Sequence, residues 1–187
     1  VRAGRSAYLA AERSALAPLV RTRTVSRFKS RVTQIRAATV TEILGVLHAG
    51  DVPAWVAGGW GVDALAGRQT RRHYNLDLVI SDAGGSMSRL ASALGGAGFK
   101  RGVTEHTPGL PMPWRHFWRR DDGAGVEVMP VDLHALPFTA ESFAVGMIDG
   151  RPVPCLSGAT QLTLHSGYPL READAQDIAV LLEFARP

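Results

Sequence analysis

The chain has 187 residues and a single cysteine, Cys155. One cysteine excludes an internal disulfide and any zinc site built on several thiolates, and it suits a reducing compartment. Uncharged apolar runs are short, and none approaches the roughly 18–20 residues that a membrane span needs. The first residues include arginines but no apolar stretch, so they lack the core of a secretory signal. Internal repeats, low-complexity tracts and a dividing linker are absent as well. The cytoplasm is the expected compartment, with no membrane contact. What is present is 45% hydrophobic and 20% charged, with mean hydropathy near zero. Such a composition supports one sizeable core and excludes collagen-like, coiled-coil and fully disordered chains.

Acidic side chains are scarce at one end. Through Arg31, Glu12 stands alone against eight arginines and lysines, although the whole chain carries a net charge of only +4. The remainder is therefore slightly acidic. Attraction to polyanions would reside in the first stretch, which reads as a basic, partly helical leader over residues 1–38. Residues 39–187 read as the folded domain. That domain shows no basic, aromatic-rich surface of the kind that binds single strands, which argues against nucleic acid as a partner.

Ala7 to Val20 has helical composition up to Pro18. Thr39-Val40-Thr41-Glu42 has the form of a capping box, and Val40, Ile43, Leu44 and Leu47 continue on one helical face until Gly50. A short strand at 54–57 leads into Gly58-Gly59-Trp60-Gly61 and a brief helix near Val62–Ala66. From Tyr74 to Ile80 the pattern alternates, with Tyr74, Leu76, Leu78 and Ile80 on one side and Asn75 and Asp77 on the other. A helix is predicted over 84–94, strands over 99–103, 115–119 and 126–133, and a hairpin over 146–155 turning at Asp149-Gly150. Two helices, 157–165 and 171–184, close the chain. Strands that alternate with helices and then run as hairpins predict a mixed α/β or α+β domain.

Three features carry chemistry. Gly58-Gly59, between a strand and a helix, lets backbone amides approach a phosphate at a helix N-terminus. Asn75 and Asp77 share one strand face, where oxygen ligands two residues apart can hold a hard cation such as Mg²⁺. A further carboxylate comes from Val126-Glu127-Val128-Met129-Pro130-Val131-Asp132. Glu127 and Asp132 are an odd number of residues apart, so an unbroken strand turns only one of them to the site. A bulge at Pro130 would change that. Arg68, Arg71 and Arg72 can clamp phosphates, with Arg71 and Arg72 nearer the strand. Trp60 reads as packing, Cys155 as buried and inert, and Arg171 and Asp174 as a helical ion pair.

Together, Gly58-Gly59-Trp60-Gly61-Val62-Asp63 through Arg71-Arg72-His73-Tyr74-Asn75-Leu76-Asp77, with Val131-Asp132-Leu133-His134 and the stretch from Gly150 to Asp177, resemble the antibiotic nucleotidyltransferases. The lincosamide and aminoglycoside 2''-type enzymes of the DNA-polymerase-β-like superfamily are the members most similar. The resemblance covers about residues 39–184. It implies a nucleotidyltransferase fold, a small mixed sheet flanked by helices with C-terminal helices. It implies transfer of a nucleoside monophosphate, AMP from ATP, to a hydroxyl of a small antibiotic-like acceptor, with pyrophosphate leaving. By position, Gly58 and Gly59 would bind phosphates together with Arg71 and Arg72. Asp77, Asn75 and Asp132 would hold two Mg²⁺ ions, Asp132 also serving as general base. The segment with His165, Arg171, Asp174 and Asp177 would line the pocket. A homodimer is compatible with this reading. One position departs from the family's Asp-x-Asp. Asn75 supplies a neutral amide where the pattern has a carboxylate, which weakens the metal site. The alternative is therefore a catalytically silent protein of the same fold that binds a nucleotide or small molecule.

Overall fold

The computed structural model describes residues 33–106, 113–133, 138–165 and 170–184. The basic stretch over 1–32, with its expected helix at 7–20, lies outside the described residues.

The first helix, α1 (Ala37–Ala49), forms because Val40, Ile43 and Leu47 recur at helical spacing and are buried. It starts at Ala37 with Arg36 as N-cap, and no side chain caps it. The expected capping box at Thr39–Glu42 does not form. Glu42 instead receives the Arg120 guanidinium at 2.5 Å. The domain boundary at residue 39 also needs correction. Ile35 is buried, and its N–H donates to the carbonyl of His73 at 2.9 Å. The core therefore begins inside the segment read as leader.

Strand β1 (Ala54–Ala57) runs directly into α2 (Gly58–Ala66), which starts four residues earlier than predicted. Strand β2 (Leu76–Ser81), helix α3 (Ser86–Gly96) and strands β3 (Lys100–His106), β4 (Trp114–Arg119) and β5 (Gly125–Val131) follow. A single 3₁₀ turn (Ala140–Ser142) precedes the hairpin of β6 (Phe143–Ile148) and β7 (Arg151–Leu156). Its two-residue loop has positive φ at both positions, 52° at Asp149 and 70° at Gly150, the geometry that matches strand twist. Helices α4 (Gly158–Leu164) and α5 (Glu172–Phe184) end the described chain.

The seven strands form one mixed sheet in the order β3-β4-β5-β2-β1-β7-β6. β2 is antiparallel to β1 and parallel to β5, and β1 is parallel to β7. The main core lies on the face of Val56, Leu76, Leu78, Ile80, Val126 and Val128, under α1 and α3. Alternation along β2 and β5 sends the intervening residues to the opposite face. There Val79, Met129 and Val131 join a smaller apolar cluster with Ala57 and Leu156. One row of that face carries the carboxylates of Asp77 and Glu127, and it organises the site. Cys155, on β7, is fully buried in the main core, and burial pushes its thiol pKa up to about 11.

Candidate active site

The carboxylate-bearing row is set by strand register. Ala57 pairs with Asp77, Asp77 with Glu127, and Glu127 with Phe117, so four neighbouring strands present one residue each in line. β1 ends at Ala57, and α2 begins at the next residue, over this row. Gly58 has φ of +58°, and a Cβ there would overlap Oδ2 of Asp77. A Cβ on Gly59 would overlap the Arg71 guanidinium and the His73 ring. Both glycines are therefore required by close approach, Gly58 also by its left-handed backbone. The result is a helix N-terminus against a carboxylate, at the edge of a cavity of about 780 Å³.

The loop from Gly67 to Tyr74 is held from below. Buried Asp63 accepts from the backbone N–H of Thr70 at 2.9 Å and from its hydroxyl at 2.5 Å, and meets Nε2 of His73 at 2.5 Å. The His73 ring lies 4.7 Å from the Trp60 ring, which is itself buried. Asp63, Thr70 and His73 thus fix the loop that carries Arg71 and Arg72 into the cavity wall. Arg71 is committed to Asp177 of α5: Nε donates to Oδ1 and Nη2 to Oδ2, each at 2.7 Å. Burial opposes the charge of Arg71, but the hydrogen bonds and charge of Asp177, helped by Asp63 and Asp77, raise its pKa above the ordinary value. Arg72 is exposed at the cavity. Arg68 lies outside the cavity lining and pairs loosely with Glu183 at 3.9 Å.

The far wall comes from α4 and α5. Asp174 and Asp177 are each 1% exposed, and His165 sits between them, 3.8 Å from one and 4.0 Å from the other. Arg171 donates Nε and Nη2 to Asp174 at 2.8 and 2.6 Å. All four line the cavity, where sequence reasoning had placed their segment by resemblance. Tyr168 and the loop over 107–112 lie outside the described residues.

Gly58, Gly59, Arg71, Arg72, Asn75 and Asp77 are brought together as expected in the lining of one cavity. Asp132 is not. β2 and β5 pair without interruption from Leu76↔Val126 to Ser81↔Val131, with Pro130 in register opposite Ile80. No bulge intervenes, so Glu127 faces the site beside Asp77. Asp132 follows the last paired residue, five positions on from Glu127, which is about 16 Å of strand. The carboxylate beside Asp77 is Glu127. Parity had left these two open; the resemblance pointed to Asp132, whereas the register turns Glu127 to the cavity. Arg115, Phe117 and Glu105 also line the cavity. Sequence reasoning missed them because their position depends on β3 and β4 being laid against β5, which no local pattern reports.

A family model described as Aminoglycoside-2''-adenylyltransferase matches residues 39–181. The chain belongs to this family. It is 31% identical over 149 residues to a lincosamide resistance protein of Staphylococcus haemolyticus, covering 73% of this chain and 88% of that one. It is also 31% identical over 129 residues to a 2''-aminoglycoside nucleotidyltransferase of Escherichia coli, covering 63% and 67%. Among solved structures it resembles the lincosamide antibiotic adenylyltransferase LnuA with lincomycin bound. The TM-score is 0.68 at 26% identity, over 82% of this chain and all of that one. The mixed sheet with C-terminal helices is thus the nucleotidyltransferase fold.

Nucleotidyltransferases of this family typically use a divalent metal, and the donor set can be tested against one. Asp77, Glu127 and the amide of Asn75 are all hard oxygen donors of the kind Mg²⁺ takes. Gly58 leaves space beside Asp77 that any other residue would fill. These residues fit a divalent cation. The set is thin, however, because the Asn75 amide donates to Oδ1 of Asp77 at 2.5 Å, and among the described residues no three His, Cys, Asp or Glu cluster as a ready metal cage. No helix of the described residues is long and apolar enough to cross a membrane.

Proposed function

We propose that the chain transfers a nucleoside monophosphate, AMP from ATP, to a hydroxyl of a small antibiotic-like acceptor. The lincosamides and aminoglycosides are the classes named for its relatives. The observation that carries this reading is Asp77 directly under Gly58, with Glu127 beside it in register on the next strand and both lining one cavity. The N-terminus of α2 offers backbone N–H groups and a positive dipole end to the triphosphate. Arg72, exposed on the adjoining loop, adds a guanidinium that can bind phosphate oxygens in a fork. Asp77, with Asn75, would hold the divalent cation, which when bound neutralises charge on the phosphates.

Glu127 is the base of this reading. The acceptor hydroxyl attacks the α-phosphorus in line, its proton passes to the Glu127 carboxylate, and the bond from the α-phosphorus to the bridging oxygen breaks. Pyrophosphate leaves with that oxygen. The pair Arg71–Asp177 holds α5 as the far wall, and Arg171–Asp174 closes its first turn, so that the acceptor is oriented against Phe117 and the helix rather than diffusing freely. Positioning of this sort supplies much of the barrier reduction in phosphoryl transfer.

Mass spectrometry of an antibiotic panel incubated with ATP and Mg²⁺ tests the proposal. An acceptor should gain the mass of one nucleoside monophosphate, and absence of any product from folded protein would refute it. A second reading is favoured by one observation: the Asn75 amide is spent on Asp77. In that reading the chain binds nucleotide without turnover, and the same panel separates the two.

A further inference from the structure

Glu127 does not stand alone in the row. Arg115, two residues before Phe117 on β4, donates Nε to Oε1 of Glu127 at 2.6 Å and sets Nη2 on the same oxygen. Its Nη1 lies 4.0 Å from Glu105, and its guanidinium carbon sits 5.7 Å from the centre of the Phe117 ring. Arg115 is 9% exposed and Glu127 5%. A guanidinium cannot be deprotonated in a protein, so this buried positive charge is permanent. Both donors fall on Oε1, and Arg115 makes no use of Oε2.

Charge counts then differ from what two metal ions need. In the row itself Asp77 and Glu127 contribute one negative charge each and Asn75 none, while Arg115 offsets Glu127 through two hydrogen bonds and meets Glu105 only at 4.0 Å. Two divalent ions roughly 4 Å apart repel about four times as strongly as two unit charges at that spacing. Such a pair is ordinarily held by several carboxylates. The triphosphate brings its own oxygens, but these are the same in any protein, so the deficit belongs to this chain.

We infer that the site uses one divalent cation, held by Asp77 and Asn75, and that Arg115 supplies the fixed positive charge in place of a second ion. The inference rests on the nucleotidyltransferase reading. Two features of the site then have one explanation: a neutral amide at Asn75, just before β2, where a carboxylate is expected, and a buried arginine of β4 on the carboxylate of β5. Each alone would weaken a two-ion site. Together they balance a one-ion site.

The test uses Mn²⁺ as a paramagnetic probe with an ATP analogue whose α,β-bridge is a methylene group. Electron paramagnetic resonance distinguishes an isolated Mn²⁺ from a spin-coupled pair. The wild type should show an isolated ion at every ratio of Mn²⁺ to protein, and Arg115→Lys, which keeps the charge, should behave alike. The double variant Asn75→Asp with Arg115→Met should show a coupled pair. A coupled pair in the wild type, or an isolated ion in the folded double variant, overturns the inference. If the double variant does not fold, Asn75→Asp alone decides: it should keep an isolated ion, and a coupled pair overturns the inference. A wild type that binds neither the analogue nor Mn²⁺ refutes the nucleotidyltransferase reading instead.

Discussion

Replacing Arg71 by methionine keeps most of the side-chain volume and removes one partner of a buried ion pair. Asp177 would keep its carboxylate at 1% exposure with its guanidinium gone, and the remaining neighbour, His165, lies 4.0 Å away. Breaking a fully buried pair this way costs about 3–5 kcal/mol. Arg71 retains 20% side-chain exposure, so water screens part of the interaction, and about 2–3 kcal/mol is the expected loss. With a urea slope of about 2 kcal/mol/M for a domain of this size, the unfolding midpoint should fall by about 1–1.5 M. A double-mutant cycle with Asp177→Asn should show a coupling energy of at least about 1 kcal/mol, the double variant being less damaged than the two single losses added. The pair also joins the motif loop to α5, so acceptor affinity should weaken along with stability. A midpoint shift below about 0.2 M, or single effects that simply add, would refute the view that this pair fixes the cavity wall.

Other outcomes follow from the same geometry. Gly58→Ala should lose nucleotide binding in a calorimetric titration while the protein stays folded. The left-handed backbone costs about 1 kcal/mol, but the added methyl displaces the Asp77 carboxylate. Ile35→Ala should lower stability by about 2–4 kcal/mol, and a truncation starting at Arg36 should lose at least as much. A truncated chain melting at an unchanged midpoint would show that the core does begin at residue 39. Cys155, with its thiol pushed up to about 11, should carry about one part in a thousand of thiolate at pH 8. Its labelling by a thiol reagent should therefore follow the rate of unfolding, whereas rapid labelling of native protein would contradict its burial.

How much of this was legible in the sequence depends on the range over which each signal acts. The alternation around Asn75 and Asp77, the Gly58-Gly59 turn and the Asp149-Gly150 hairpin are local, and all three stand in the structure. The choice between Glu127 and Asp132 was not local. Strand parity showed that only one could face the site, but which one depends on β5 lying parallel to β2 with Leu76 opposite Val126. Ile35 carries no periodic pattern, and its place in the core depends on a single bridge to His73, 38 positions away. Helix α2 was read too short because three of its first four residues are glycine, the poorest helix former after proline. Packing overrides that preference here. A Cβ on Gly61 would sit 2.8 Å from Gln161 Oε1 and 2.9 Å from the Val56 carbonyl, so the helix lies too close to its neighbours for larger residues. Arg171 and Asp174 read as a helical ion pair, and the pair stands, but nothing in the helix itself announces that Asp177 is turned inward on Arg71, 106 positions away.

The most direct test of the account measures pyrophosphate release with ATP, Mg²⁺ and an accepted antibiotic, comparing the wild type with Glu127→Gln and Asp132→Asn. A positioned general base contributes about 10²–10⁴-fold, so Glu127→Gln should fall by at least about a hundredfold. Asp132→Asn, at the exposed end of β5, should stay within about twofold of the wild type. Loss of activity in folded Asp132→Asn, with Glu127→Gln retaining it, would contradict the site built on the row from Asp77 to Glu127.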